Sequence, residues 1–313
     1  MSPVGERLRA FAPGSVGNIG PGLDIMGLAV TGRGDVVEVA LREGPGIEVL
    51  DAGHPDLPRD AGRNTAAVAA AAALSLGGQS STGLAITIVK GLPLSGGQGG
   101  SAASAVAGAV ATNALLQLGL TEHQLAECAL AAEARVAGRH LDNIVPSLVG
   151  GIVLIRDAAR YDYIRLEAPR GLKIVLAQPD QRLRTAEGRA VLPAEVAREV
   201  ALYQAAQCAA MVLAFTTNDL PLLRRAVDDR IAEPARAPLL PGFARAKQAA
   251  LDAGALGCSI SGSGPTAFAF AADQTDALEV AAAMEAAYQA EEVGCTTRIA
   301  EVSAEGARVI EEE

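Results

Sequence analysis

The sequence predicts an α+β fold in two halves that share a cleft. Three observations carry this expectation. Short apolar strands and longer Ala-rich helices are mixed in both halves of the 313-residue chain. Half of the residues are hydrophobic, with 3% aromatic and no Trp, so the core is built of Ala, Val and Leu on closely packed helices. Two glycine-rich loops, one in each half, interrupt apolar segments at Pro93–Ser104 and Ser261–Thr266.

Leu8–Ala12, Leu28–Val30 and Val36–Leu41 predict strands with Gly-rich turns between them. Asn64–Leu76 predicts an Ala-rich helix stopped at Gly77-Gly78. Leu84–Lys90 alternates as a strand does. Ser101–Leu118 predicts a helix closed by Gly119. Thr121, with Gln124 three residues on, forms a capping box that opens a helix reaching about Val136. Asp142–Val149 predicts a loop or short helix, followed by a strand at Gly151–Ile155. A second half begins near residue 157. It has strands at Tyr163–Leu166 and Lys173–Ala177, then helices at Ala194–Phe215, Leu220–Asp229 and Phe243–Ala253. A hairpin-like unit spans Gly257–Ala271, and a helix at Thr275–Tyr288 and a strand at Cys295–Val302 follow.

The formal charge of -10 leaves no basic footprint for nucleic acid, and no Lys/Arg cluster points to a membrane surface. Cys128, Cys208, Cys258 and Cys295 are far apart and form no CxxC pair, so buried free thiols are expected rather than zinc or a redox dithiol. The first thirty residues lack the layout of a leader peptide. The longest apolar run, Ala66–Leu74, is far below the roughly 20 residues of a membrane span. A soluble cytoplasmic protein is expected.

The Gly-rich segment lies between a strand and a helix. Glycine permits φ > 0 and lets backbone amides approach an anion, and a helix start adds unpaired N–H groups. Ser101 and Ser104 add hydroxyls for phosphate or Mg²⁺. A tight structural turn, a Rossmann loop and a kinase phosphate loop compete. The Rossmann reading lacks an acid at a strand end about 20 residues on, and a Walker loop is excluded because Gly-Lys-Ser/Thr is absent.

Asn18 and Asp24 bracket the turn at Gly20-Pro21-Gly22, facing a ligand or capping the turn. Glu133 has apolar helical neighbours at Ala129, Leu130, Val136 and Ala137, which places it at the edge of a buried stripe of Leu125, Ala129, Ala132 and Val136. A carboxylate there needs a partner, an Arg or Mg²⁺. His140 reads as a hydrogen-bonding residue. Asp142 and Asn143 face a substrate hydroxyl or cap the turn before Pro146. Thr185 and Arg189 lie four apart, on one face of any helical turn. Arg189 and Arg236 are candidates to grip a carboxylate, or are surface arginines. The four Gly and Ser residues of the second loop exceed what a hairpin turn needs, so something approaches that backbone.

Three segments, PGSVGNIGPGLDIMGLAV, PLSGGQGGSAASAVAG and ISGSGPTAFAF, resemble the three motifs of the GHMP kinase family in order and spacing. GRHLDNIVPSLVGGIVL, TAEGRAVLP and EPARAPLLPG resemble the members that phosphorylate L-homoserine, and the likeness covers about residues 8 to 271. It implies the GHMP kinase fold. An N-terminal nucleotide-binding domain of ribosomal S5 domain 2-like type (1–156) and a ferredoxin-like C-terminal domain (157–313) completing the substrate site would share the active-site cleft. ATP would lie along Pro93, Leu94, Ser95, Gly96, Gly97, Gln98, Gly99, Gly100, Ser101, Ala102 and Ala103, with Asn64 near the adenine. Ser101 and Glu133 would hold Mg²⁺. Asn18, Asp24, Asn143, Thr185, Arg189 and Arg236 would hold the amino acid, with Asn143, Arg189 and Glu133 as the catalytic set. The reaction implied is phosphorylation of the L-homoserine hydroxyl, a step toward threonine, with a homodimer as one open assembly.

The chain departs from the family pattern in places. The family's Leu-Gly-Ser-Ser is Gln98-Gly99-Gly100-Ser101 here, so one hydroxyl is missing at Gly100. Gly17 stands where Ala is usual, and Leu23 where Phe is; both are expected to be tolerated. Two alternatives stay open: a GHMP kinase of mevalonate or shikimate type, and a non-catalytic nucleotide-binding protein of the same fold.

Overall fold

The computed structural model describes residues 6–136 and 138–311. In chain order it holds β1 (Arg7–Gly17), β2 (Met26–Arg42), β3 (Gly46–Asp51), α1 (Thr65–Leu76), β4 (Gly83–Val89), α2 (Gly100–Leu115), α3 (Glu122–Glu133), α4 (Ile144–Val149) and β5 (Ile152–Asp157). There follow β6 (Asp162–Leu166), β7 (Lys173–Pro179), α5 (Thr185–Ala190), α6 (Arg198–Thr217), α7 (Leu220–Ala226), α8 (Ala232–Arg236), α9 (Phe243–Asp252), β8 (Gly257–Ile260), β9 (Ala267–Ala271), α10 (Gln274–Gln289), β10 (Cys295–Ala300) and β11 (Arg308–Ile310). The architecture is α+β, as the mixed pattern predicts.

The strands form two sheets. A seven-stranded sheet runs β11-β1-β2-β4-β3, with β5 on β2 and β6 on β5, and a four-stranded antiparallel sheet runs β10-β7-β9-β8. The first sheet does not stop at residue 156. Beyond it, β6 and β11 return to that sheet.

Local chemistry explains the helices. Asn64 caps α1 by accepting from Ala67 N, and Thr121 and Gln124 complete the capping box of α3. The strands expected at Leu28–Val30 and Val36–Leu41 are one strand, β2. The intervening Thr-Gly-Arg-Gly reads as a turn, but a Cβ at Gly34 would lie 2.2 Å from Ala12 O, so the glycine lets two strands cross closely. The short edge strand β3 and the single-turn helices α5 and α8 escape the sequence patterns. α3 ends at Glu133, earlier than expected. Leu125, Ala129 and Ala132 are buried, whereas Val136 is 47% exposed and leaves the predicted stripe.

Three cores result. Helices α1 to α4 cover the first sheet with an Ala-rich layer. A middle core joins Val16, Met26 and Leu28 to Ile174, Phe268, Phe270 and α6, and so fixes the two halves together. A third lies between the second sheet and α9 and α10. α6 is 20 residues long and apolar enough to cross a membrane by length and composition, a helix that runs of apolar residues do not reveal. Its Cys208, Met211, Ala214 and Phe215 face the middle core. Cys128, Cys208 and Cys258 are buried free thiols, as expected, while Cys295 is half-buried.

Candidate active site

The two glycine loops meet. Ser261 and Thr266 donate their hydroxyls to the carbonyls of Gly97 and Gly96. A Cβ on Gly97 would lie 2.6 Å from Ser261 O, and Gly97 has φ 72°. The chain that approaches the second loop is thus the first loop, and only glycine permits the contact. Gly99 (φ 69°) caps α2, and a Cβ there would strike Ser15 Oγ at 2.1 Å and lie 3.1 Å from Asn143 Oδ1. The Gly-rich loop therefore passes close beside Ser15 and Asn143, with no room there for a methyl group. Nothing requires glycine at 100, where a Cβ would meet only Lys90 Nζ at 3.4 Å and Leu92 and Pro93 at 3.5 Å.

Gln98 is 2% exposed. Its side chain bonds Gln178, Thr266 and Arg298. It staples the loop to the second sheet, so only its backbone is left to face an anion. Asn64 is buried beneath the preceding loop, where it donates to Pro58 O at 3.0 Å as well as capping α1.

Below the loop is a buried ionic hub that sequence reasoning misses. The Asp35 carboxylate, fully buried, accepts from Lys90 Nζ, from Ser104 Oγ at 2.6 Å, and from the backbone amides of Gly91 and Leu92 at 3.2 Å. Lys90 also donates to Gly100 O at 3.0 Å and Ser104 Oγ at 3.1 Å. The end of β4 and the start of α2 are thereby tied to β2 on both sides of the loop. The available signal was an acid and a lysine at the edges of apolar strands.

Glu133 ends α3 with 6% exposure. Burial pushes its carboxyl up to about 7, against the Ser101 hydrogen bond and the charge of Lys90, which lower it. Its Oε1 is buried without a hydrogen-bond partner. An orphaned acceptor beside Ser101 at a helix start suits a divalent cation that takes its other ligands from phosphate. Among the described residues no cluster of three or more His, Cys, Asp or Glu side chains gathers for a metal.

On the other side of Gly99, Ser15 Oγ donates to Asn143 Oδ1 at 2.9 Å, and Asn143 Nδ2 donates to Asp142 Oδ2 at 3.2 Å. Asp142 is 3% exposed, and burial first, then the charge of Asp24, pushes its carboxyl up to about 7. Asn18 and Asp24 both adopt left-handed backbone, which Asn and Asp tolerate best. Asn18 Nδ2 donates to Gly262 O at 2.8 Å, and its Oδ1 accepts from Asp24 N at 3.0 Å. Arg236, 2% exposed, donates to Gly188 O and Gly262 O, each at 2.9 Å, and so meets Asn18 at one carbonyl.

Arg189 lies in the last turn of α5 and is bidentate on Asp24, at 2.6 and 3.1 Å. Its Nε is buried without a partner. His140 Nδ1 is 3.2 Å from Asp24 Oδ1; desolvation is the main cause holding its pKa below the ordinary value. Thr185 opens α5, half-buried, one turn before Arg189. These contacts bring Asn18, Asp24, Arg189 and Arg236 together, with Asp142 close enough to feel the Asp24 and Arg189 charges and Asn143 bonded to it, whereas Asn64 bonds Pro58 and caps α1.

Comparison with known proteins agrees with this geometry. Residues 64–151 match the family model of the GHMP kinases N terminal domain, and residues 211–290 that of the GHMP kinases C terminal. The chain is 38% identical to the homoserine kinase of Chlorobium phaeovibrioides, over 97% of this chain and 100% of that protein. It is 39% identical to the homoserine kinase of Arabidopsis thaliana, over 85% of this chain and 74% of the other. The solved homoserine kinase of Cytophaga hutchinsonii superposes with a TM-score of 0.92 at 36% identity, covering 97% of each chain. The mevalonate kinase of L. major, at 18% identity and a TM-score of 0.69, shares the fold. With family matches in both halves and near full-length relatives above 30% identity, this chain belongs to the GHMP kinase family, among its homoserine kinases.

Proposed function

We propose that this protein transfers the γ-phosphoryl group of ATP, with Mg²⁺, to the side-chain hydroxyl of L-homoserine, giving O-phospho-L-homoserine on the route to threonine. The observation that carries this is the close approach of the Gly-rich loop, at Gly99, to Asn143, together with the grouping of one carboxylate and two guanidinium groups, Asp24, Arg189 and Arg236. Homoserine offers the complementary set: an ammonium for Asp24, a carboxylate for the arginines and a hydroxyl for Asn143.

Phosphoryl transfer through a loose transition state needs positioning and charge neutralisation more than a strong base. In this reading the loop amides cradle the phosphates, and Asn143, fixed by Ser15, orients the acceptor hydroxyl. Bound Mg²⁺, held by Glu133 and Ser101, would neutralise phosphate charge. The Arg and Asp charges favour an amino acid over mevalonate or shikimate, which have no ammonium. An ADP-release assay with Mg-ATP and L-homoserine, mevalonate, shikimate or L-serine tests this. Turnover is expected with L-homoserine foremost; none with any acceptor overturns the kinase reading.

A further inference from the structure

Asp24 and Arg189 have opposite duties if the amino-acid kinase reading holds, on which the following rests. One receives the substrate's ammonium, the other its carboxylate. Yet in the structure they are bonded to each other. Both carboxylate oxygens of Asp24 lie on Arg189, Oδ1 on Nη2 at 2.6 Å and Oδ2 on Nη1 at 3.1 Å. The pair is half-buried, at 28% and 30% side-chain exposure, so neither charge is well hydrated if its partner leaves.

The surroundings hold the acid and leave the base freer to move. Asp24 is fixed from behind by the bond from its backbone amide to Asn18 Oδ1 and from the side by His140 Nδ1 at 3.2 Å. Arg189 sits on the single-turn helix α5, and its Nε has no partner. Arg236 is different: its donors to Gly188 O and Gly262 O anchor it in place.

We propose that Asp24 and Arg189 form an exchangeable ion pair that makes the acceptor pocket selective for zwitterionic α-amino acids. The substrate's ammonium replaces Arg189 on Asp24 while its carboxylate replaces Asp24 on Arg189, beside the fixed Arg236. One internal pair becomes two intermolecular pairs, and no charge is stranded. A hydroxy acid without an ammonium must break the pair and leave Asp24 with His140 alone. An amino alcohol without a carboxylate strands Arg189 in the same way. Selectivity then comes from the penalty on the wrong ligand as much as from contacts to the right one.

The test is calorimetric titration of the full chain at pH 8 with L-homoserine and with 4-hydroxybutanoate, its analogue without the ammonium. The wild type is expected to bind L-homoserine, and the analogue about a hundredfold more weakly. Asp24→Asn keeps the left-handed backbone at that position and releases Arg189. It is expected to bind L-homoserine more weakly but to gain about tenfold in affinity for 4-hydroxybutanoate, because the competent state of Arg189 is no longer masked. Glu187→Gln controls for charge alone. It removes an exposed carboxylate of α5 that accepts from the Arg184 amide, a bond Gln can keep, and is expected to change analogue binding less than twofold. No gain in Asp24→Asn, or an equal gain in both variants, overturns the exchange. Failure of the wild type to bind L-homoserine at all overturns the substrate reading instead, and a gain of analogue binding in Asp24→Asn would still report the masked arginine.

Discussion

Gly17 lies directly against Asp142: a Cβ at position 17 would stand 2.4 Å from Asp142 Oδ2 and 2.6 Å from Asn143 Nδ2. The sequence treats Gly17 as a tolerable exchange for Ala, but in this chain its missing methyl makes room for the Asp142–Asn143 pair. Both are short side chains, Asp142 buried and Asn143 half-buried, with little room to retreat. Gly17→Ala is expected to push the Asn143 amide off the acceptor hydroxyl. A displacement near 1 Å costs on the order of tenfold to a hundredfold in rate, so kcat should fall at least about tenfold while Tm changes little. Steady-state kinetics with thermal melts checks this, and unchanged kcat refutes it.

Asp142 makes stability depend on pH. Its carboxyl is held near 7 in the folded protein against an ordinary 3.8. Between those values the folded state keeps a proton that the unfolded chain has lost, so stability falls as pH rises through that window. The loss is at most about 4 kcal/mol. Asp142→Asn keeps a carbonyl for the Asn143 amide and removes the titration. Its advantage in urea denaturation is expected to widen from pH 5 to pH 7 and then level off. A constant gap across that range would remove Asp142 as the source.

Glu133 carries the cation hypothesis. Glu133→Gln keeps the shape of a 6%-exposed side chain and the means to bond Ser101, but removes the charge. Mg-dependent turnover should drop by roughly a hundredfold or more, as when one electrostatic contact to the transition state is removed. Folding stability at pH 8 should not fall, because a buried carboxylate whose Oε1 lacks a hydrogen-bond partner has been removed. Near wild-type turnover would show that Glu133 does not serve the ion.

Lys90 and Asp35 test the hub under the loop. Lys90→Met leaves the fully buried Asp35 without its cation, an error that costs roughly 3–5 kcal/mol. Adding Asp35→Asn is expected to restore at least about 1 kcal/mol, since the orphaned charge is gone. Denaturation midpoints of the two variants decide it, and additive losses would deny the coupling.

What the sequence makes legible here is what is local. The Thr121–Gln124 box, the Asn64 cap and the glycine stop of α1 depend on residues within a few positions, and each is found where it is expected. The burial of Glu133 follows from its neighbours on one helix. The pairings that build the site are distant. Lys90 and Asp35 are 55 residues apart, and Arg189 and Asp24 are 165 apart. No periodicity links such pairs, so Asp35 goes unnoticed, Lys90 figures only as the end of a strand, and Arg189 and Asp24 are assigned separate roles without sign of their mutual bond. The same limit hides β2, where Gly34 resembles a turn until Phe11 and Ala12 are seen against it.

Gly100 marks the missing hydroxyl of the family motif, and the structure gives it room. A Cβ there meets nothing closer than Lys90 Nζ at 3.4 Å, and the residue opens α2 with ordinary backbone, since φ is positive at Gly99 and not at Gly100. Gly100→Ser should therefore fold without strain and gain a few tenths of a kcal/mol from the better helix propensity of Ser over Gly. Its hydroxyl would enter the first turn of α2 beside the Lys90 ammonium, where phosphate oxygens are expected. In this chain Lys90 already supports that turn through Gly100 O. The added donor is thus expected to lower KM for ATP severalfold with little change in kcat, the pattern of uniform rather than transition-state binding. ADP-release kinetics over a range of ATP concentrations measures it. A rise in KM would mean that the ammonium and the new hydroxyl compete for one place, and that the glycine had been making way for Lys90.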